Sequence, residues 1–143
     1  MVEKKVQRLK GVINGWLPVL AWCSLLFYFS SIPNLKAAKD PWWDEIIRSG
    51  AHLFFYLVLY LLVFRAINLA REVKNFIWPL VLTIGYGFFD EVHQIFVPTR
   101  TFQRIDLLID FSGGILGLVL IKGLLIIVPQ KMLRQSKFLN RLF

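Results

Sequence analysis

The chain has 143 residues and a formal net charge of +8; 57% of it is hydrophobic, 15% is aromatic, and the mean hydropathy is +0.59. That length suits a single domain over residues 1–143, and that composition excludes an ordinary soluble fold. A basic surplus of this size suggests nucleic acid in a soluble protein, but here the basic residues sort by the side of a membrane, which implies lipid and no nucleic-acid partner.

A helix needs about 20 apolar residues to cross a hydrocarbon core about 30 Å thick, and four runs meet that need. The first covers residues 11–31 and follows Lys4, Lys5, Arg8 and Lys10. It is longer than a signal-peptide core and has no A-x-A-like cleavage site, so it reads as a retained helix. The single cysteine, Cys23, lies inside it and has no partner for an intramolecular disulfide.

The second run covers residues 51–70 and is preceded by KDPWWDEIIRSG. Asp40 is a suitable N-cap, Pro41 suits the first helical position, and Asp44 and Glu45 fall in the first turn. A helix from Pro41 to Leu69 would be about 43 Å long, so its first turns must project, tilt or bend, with Gly50 a candidate break. Trp42 and Trp43 suit the aromatic belt at the interface. Steps of four from Asp44 give Arg48, His52, Tyr56 and Tyr60 on one stripe, and the simplest reading of its start is an Asp44–Arg48 surface pair.

The third run, residues 76–97, keeps its polar residues for its last two turns. Asp90, His93 and Gln94 share one side, and Glu91 is rotated by about 100°. Pro98 ends the helix. A carboxylate beside His93 would set its tautomer or raise its basicity. The fourth run, residues 105–128, carries Asp106, Asp110, Gly113 and Gly117 on one face. The G-x-x-x-G pair permits close helix contact, which puts two carboxylates on the protein-facing side; Asp106 alone reads best as a helix cap.

With the N-terminus inside, the inner segments hold Lys4, Lys5, Arg8, Lys10, Arg65, Arg71, Lys74, Lys131, Arg134, Lys137 and Arg141. The outer loops hold Lys36, Lys39, Arg48, Arg100 and Arg104. This asymmetry predicts a plasma-membrane protein with both termini cytoplasmic. Both basic tails also carry apolar residues at helical spacing and suit the anionic inner leaflet as amphipathic helices. The fold class expected is therefore an all-α integral membrane protein, four transmembrane helices in an antiparallel bundle.

In that topology the start of the second helix, the end of the third and the start of the fourth meet at the extracytoplasmic face. Arg48, His52, Tyr56, Asp90, Glu91, His93, Gln94, Arg100, Asp106 and Asp110 converge there. Ionisable residues at membrane depth face protein or a water-filled cavity and mark functional sites by default. No HEXXH or cysteine-pair spacing calls for a metal, no cofactor is implied, and no serine or cysteine stands with a histidine in a nucleophile motif.

The segments IIRSGAHLFFYLVLYLL and DEVHQIFVPTRTFQRIDLLIDFSGGILG resemble the VanZ-like family of small bacterial membrane proteins. The resemblance spans roughly residues 20–125 and rests on Arg48, Ala51, His52, Tyr56, Asp90, Glu91, His93, Gln94, Pro98, Arg100, Asp106, Gly113 and Gly117. Four positions depart from the family pattern. Asp110 stands where asparagine is usual, Thr99 where glycine precedes the arginine, Leu53 for phenylalanine, and Phe55 where many members have glutamate. The resemblance implies a link to teicoplanin resistance, after the founding member, but no reaction.

Three functions follow from the cluster. It can be a pocket that binds or modifies an amphipathic cell-envelope molecule, lipid-linked or glycopeptide-related. Arginines would then hold an anion, and His52 or His93, oriented by Asp90 or Glu91, would act as base or donor. It can instead be a structural clamp between helix ends. It can also be part of a proton or ion path, although the inner halves of the first three helices lack matching acids.

Overall fold

The computed structural model describes the backbone of residues 2–69 and 75–127, and the side chains of residues 11–68 and 75–127. The amphipathic C-terminal tail, Arg71 and Lys74 lie outside the described residues, as do the side chains of the basic N-terminal segment. Four helices make up the described chain: α1 Val2–Ser30, α2 Pro41–Leu69, α3 Ile77–Gln94 and α4 Arg104–Ile127. No strand occurs among the described residues. Stretches of α1, α2 and α4 are long and apolar enough to cross a membrane. The shorter α3, at 18 residues, falls below that mark because Asp90, Glu91, His93 and Gln94 fill its last turns.

The boundaries differ from the apolar runs where polar chemistry sets them. Helix α2 starts at Pro41 rather than residue 51 because Asp40 Oδ1 accepts the Trp42 and Trp43 amides at 3.0 and 3.2 Å. It passes through Gly50 without a break. Helix α3 stops at Gln94 rather than residue 97; irregular turns bridge the interval to Pro98.

α2 is the central element and touches the other three helices. One core packs Tyr56, Leu59, Val63 and Ala66 of α2 on Val19 and Leu26 of α1; another packs Tyr60 and Phe64 on Ile121 of α4. Pairs between α2 and α4 ascend together: Arg48 with Asp106, His52 with Asp110, Tyr56 with Gly113, Tyr60 with Gly117. Pairs between α1 and α2 run in the opposite order, from Gly15 beside Ala66 to Trp22 beside Phe55. At the α2–α3 hairpin, Asn68 and Asn75 exchange two hydrogen bonds, and Asn75 Oδ1 accepts the Trp78 amide.

The polarity of the packing is inverted relative to a soluble bundle. α3 buries Pro79, Thr83, Gly87, Asp90, Glu91 and Gln94, while Ile77, Trp78, Val81, Leu82, Phe88 and Phe89 are exposed. α4 buries Asp106, Asp110 and three glycines and exposes Leu108, Val119 and Leu120. Apolar side chains facing outward and polar ones inward suit a hydrocarbon solvent, where packing and hydrogen bonds rather than hydrophobicity join the helices. The glycine stripe is used within the chain: Gly113 and Gly117 face Leu53, Tyr56, Leu57 and Tyr60.

Candidate functional site

The ends of α1, α2 and α3 enclose a cavity of about 240 Å³. Leu26, Phe29, Leu35, Ile47 and Phe55 supply apolar wall. Arg48, His52, Tyr56, Asp90, Gln94 and Arg100, all singled out from the sequence, also line it, joined by Ser30 and Lys36. Glu91, His93, Asp106 and Asp110 do not line it. The carboxylates among them stand behind the lining, and each holds something in place.

Asp106 Oδ2 accepts from Arg48 Nη1 at 3.1 Å, and Gln103 Oε1 accepts from Nη2 at 3.3 Å. Asp106 is thus an arginine anchor, not the helix cap expected of it. The start of α4 is held instead from a neighbouring helix: buried Glu91 Oε2 accepts the Gln103 amide at 2.8 Å. A carboxylate on the open N–H groups of a helix start complements the helix dipole. One turn along, His52 Nδ1 and Asp110 Oδ1 lie 2.8 Å apart; a carboxylate can only accept, so with Asp110 ionised Nδ1 donates and Nε2 is left as the other ring nitrogen. The orienting carboxylate for His52 is therefore Asp110, not Asp90 or Glu91. Asp90 Oδ2 accepts from Gln94 Nε2 at 3.3 Å.

Among the described residues no carboxylate forms a hydrogen bond or ion pair with His93. Its ring stacks on Phe27 at 4.3 Å, and its Nε2 lies 3.1 Å from Ser31 Oγ. The Ser31 hydroxyl donates its only proton to the Phe27 carbonyl at 2.6 Å, so His93 must donate to the serine oxygen. A serine whose proton is already committed, with the histidine as donor, is the reverse of a nucleophile–base pair.

The loop between α1 and α2 closes one side. Asp44 accepts the Ala37 and Ala38 amides, so it ties this loop rather than pairing with Arg48. Arg100 donates to the carbonyls of Ile32 and Phe29 at 3.3–3.5 Å, a cation at the C-terminal end of α1 where the dipole favours it. Asn34 N–H donates to Thr99 Oγ1 at 3.1 Å, and both residues have left-handed backbones, φ 51° and 70°. Thr99 occupies the position where the resembled pattern has glycine, the residue to which that backbone costs nothing. Arg104 is exposed and lies outside the cavity lining.

Sequence reasoning missed Ser30, Lys36 and Gln103. Lys36 reads as one basic residue of an outer loop, because its place depends on Asp44 fixing that loop. Gln103 bridges Arg48 and Glu91 by tertiary contact and has no spacing signal; its position just before a helix was the available clue.

Helices apolar enough to cross a membrane, with buried charge among them, define a helical membrane protein. The VanZ/LLP1 family model matches residues 9–127, and the chain belongs to that family. No curated protein and no solved structure matches it.

Proposed function

We propose that the chain is a multi-pass protein of the bacterial plasma membrane whose cavity opens at the extracytoplasmic face and holds the anionic group of an amphipathic cell-envelope molecule. The observation that carries this is the cavity itself: Lys36, Arg48, His52 and Arg100 line it beside apolar walls, and buried carboxylates hold Arg48 and His52 from behind. Cations fixed in advance lose little freedom on binding, and guanidinium groups suit phosphate or carboxylate. The apolar wall suits the first methylenes of a lipid tail.

The topology belongs to the same proposal. All four helices span in one domain, sequence neighbours are antiparallel, and both termini are cytoplasmic. The outward apolar face of α3 supports its spanning despite its polar end, and the excess of lysine and arginine on the inner segments supports the orientation. A cysteine at position 36, introduced as Lys36→Cys with Cys23→Ser, should react in intact cells with a membrane-impermeant maleimide. Reaction only after the membrane is opened would invert the topology.

For the ligand, dioleoyl phosphatidic acid titrated against phosphatidylcholine onto the full chain in neutral detergent should be retained selectively in native mass spectra. Lys36→Ala, in an exposed loop, and Arg100→Ala should each weaken retention by roughly tenfold, the scale of one charge-assisted hydrogen bond. Equal retention of both lipids by the wild type would refute the anion pocket. Lipid-linked and glycopeptide-related molecules fall within the same ligand class, and growth in teicoplanin of cells carrying wild type or Arg100→Ala reads whether resistance depends on the pocket.

A clamp is the second reading, favoured by one observation. The pairs Arg48–Asp106 and His52–Asp110 both tie α2 to α4, so the same groups join helices whether or not a ligand binds. Neither reading needs a proton path: among the described residues the buried acids stand at one end of the bundle, and Asn68 is the buried polar residue at the other.

A further inference from the structure

The cavity lining combines accessible cations with buried polar groups. The cations are Lys36, Arg48 and Arg100, which are exposed or half-buried. The buried groups are Ser30 of α1, Tyr56 of α2 and Asp90 of α3, which retain 7%, 1% and 4% exposure and all line the cavity. Among the described residues Ser30 Oγ, the Tyr56 hydroxyl and Asp90 Oδ1 make no hydrogen bond of ordinary geometry, although the Ser30 hydroxyl is the neighbour of the Asp90 carboxyl. About nine in ten buried polar atoms in native proteins are bonded; of the six unbonded ones among the described residues these three belong to residues that line the cavity, and a polar occupant there would complete their bonding.

The chemistry of the three narrows what that occupant presents. Gln94 already donates to Asp90 Oδ2 and Ser30 is the hydroxyl beside the same carboxyl, so a serine that turns its proton to Asp90 leaves its own oxygen as an acceptor toward the cavity. The serine and tyrosine hydroxyls can each give or take a bond. With Lys36, Arg48 and Arg100 lining the same cavity, the geometry points to a ligand that carries a hydrogen-bond donor, a hydroxyl or an ammonium, a few bonds from its anionic group. We infer that Ser30, Tyr56 and Asp90 form a donor-recognising subsite that selects among acidic amphiphiles by what is attached to the phosphate or carboxylate. This rests on the anion reading above and adds the specificity that the reading lacks. Sites built to bond a polar group discriminate strongly against analogues without it, because their buried partners are then left unpaired.

The test is competition on the full-length chain in neutral detergent, read by native mass spectrometry, with three probes of identical acyl chains: phosphatidic acid, phosphatidylglycerol and phosphatidylethanolamine. Phosphatidic acid carries the phosphate alone, and the other two add a hydroxyl or an ammonium. The wild type should prefer one of the two extended headgroups over phosphatidic acid by on the order of tenfold, and which one it prefers assigns hydroxyl or ammonium. Ser30→Ala and Tyr56→Phe, each removing one oxygen, should bring that ratio toward unity. Ser30→Ala also keeps the test open if Tyr56→Phe unfolds. A wild type that retains all three equally, or a ratio untouched in a folded Ser30→Ala protein, would overturn the subsite, and the selectivity for phosphatidic acid over phosphatidylcholine then reads the anion pocket separately. Retention of none of them would overturn both.

Discussion

Gly113→Ala should lower the thermal stability of the solubilised protein by about 3 kcal/mol, the upper part of the range for overpacking. An added Cβ there would stand 2.5 Å from the Leu53 carbonyl oxygen, 3.1 Å from the Leu57 nitrogen and 3.2 Å from the Tyr56 Cβ. Two of these atoms are backbone and the third is a side-chain stem, so no rotamer change can relieve the contact. α2 and α4 must move apart. The separation would fall three residues from Asp110 and would stretch the 2.8 Å bond to His52, so the cavity lining should loosen along with the helix pair. At Gly123 and Gly50 an alanine methyl would meet nothing within 4 Å, and alanine at either should be neutral or stabilising by up to about 1 kcal/mol from helix propensity. Thermal unfolding of the three variants in one detergent decides it. A Gly113→Ala protein that melts with Gly123→Ala would mean that α4 does not pack on α2 as described.

The same contact separates what a one-dimensional pattern specifies from what it leaves open. Gly113 and Gly117 sit at a spacing that predicts a close helix crossing, and Asp106 and Asp110 precede them on the same face, so the burial of these carboxylates is legible in the sequence. The partner helix is not. Helical spacing fixes which residues share a face, but not the rotation or register of the helix opposite. Hence the sequence offers His52 the carboxylates Asp90 and Glu91, whereas the fold gives it Asp110; it offers Asp106 its own helix start, whereas the fold gives it Arg48. Asp44 shows the same limit: spacing places it beside Arg48, but loop amides take its oxygen. Local signals with a single nearby partner read correctly, as Asp40 and the Trp42 and Trp43 amides do. Groups that choose among partners from several helices do not.

The role of the carboxylates changes accordingly. As a list in the sequence they belong to one polar cluster that suits a pocket, a clamp or an ion path. In the fold, Asp106, Asp110 and Glu91 stand outside the cavity lining and each positions something else: a guanidinium, an imidazole and the first turn of α4. What faces the cavity is mainly cationic, with Asp90 the exception among its charged lining residues. An arrangement in which acids hold bases, and the bases face the opening, suits anion binding, and a carboxylate-held His52 also suits general acid–base chemistry.

The second large effect separates binding from clamping at one ion pair. Asp106 is 2% exposed and Arg48 23% exposed at their side chains. Removing one partner from such a pair leaves an uncompensated charge, at a cost of about 3–5 kcal/mol, whereas replacing both by apolar residues of similar volume is often neutral or stabilising. Asp106→Leu alone should therefore unfold the protein at markedly lower temperature, and Arg48→Met alone should do nearly the same by orphaning the aspartate. The double variant Arg48→Met with Asp106→Leu should recover most of the lost stability. Retention of phosphatidic acid should not recover, because the guanidinium that would hold the phosphate is still missing. The two readings part here, since a clamp is restored by anything that rejoins α2 to α4, while a pocket is restored only by the cation. A double variant with near-wild-type melting and roughly tenfold weaker lipid retention, the scale of one charge-assisted hydrogen bond, would assign Arg48 to the ligand. Recovery of melting and retention together would assign the pair to assembly, and the anion site would then have to rest on Lys36, His52 and Arg100 alone.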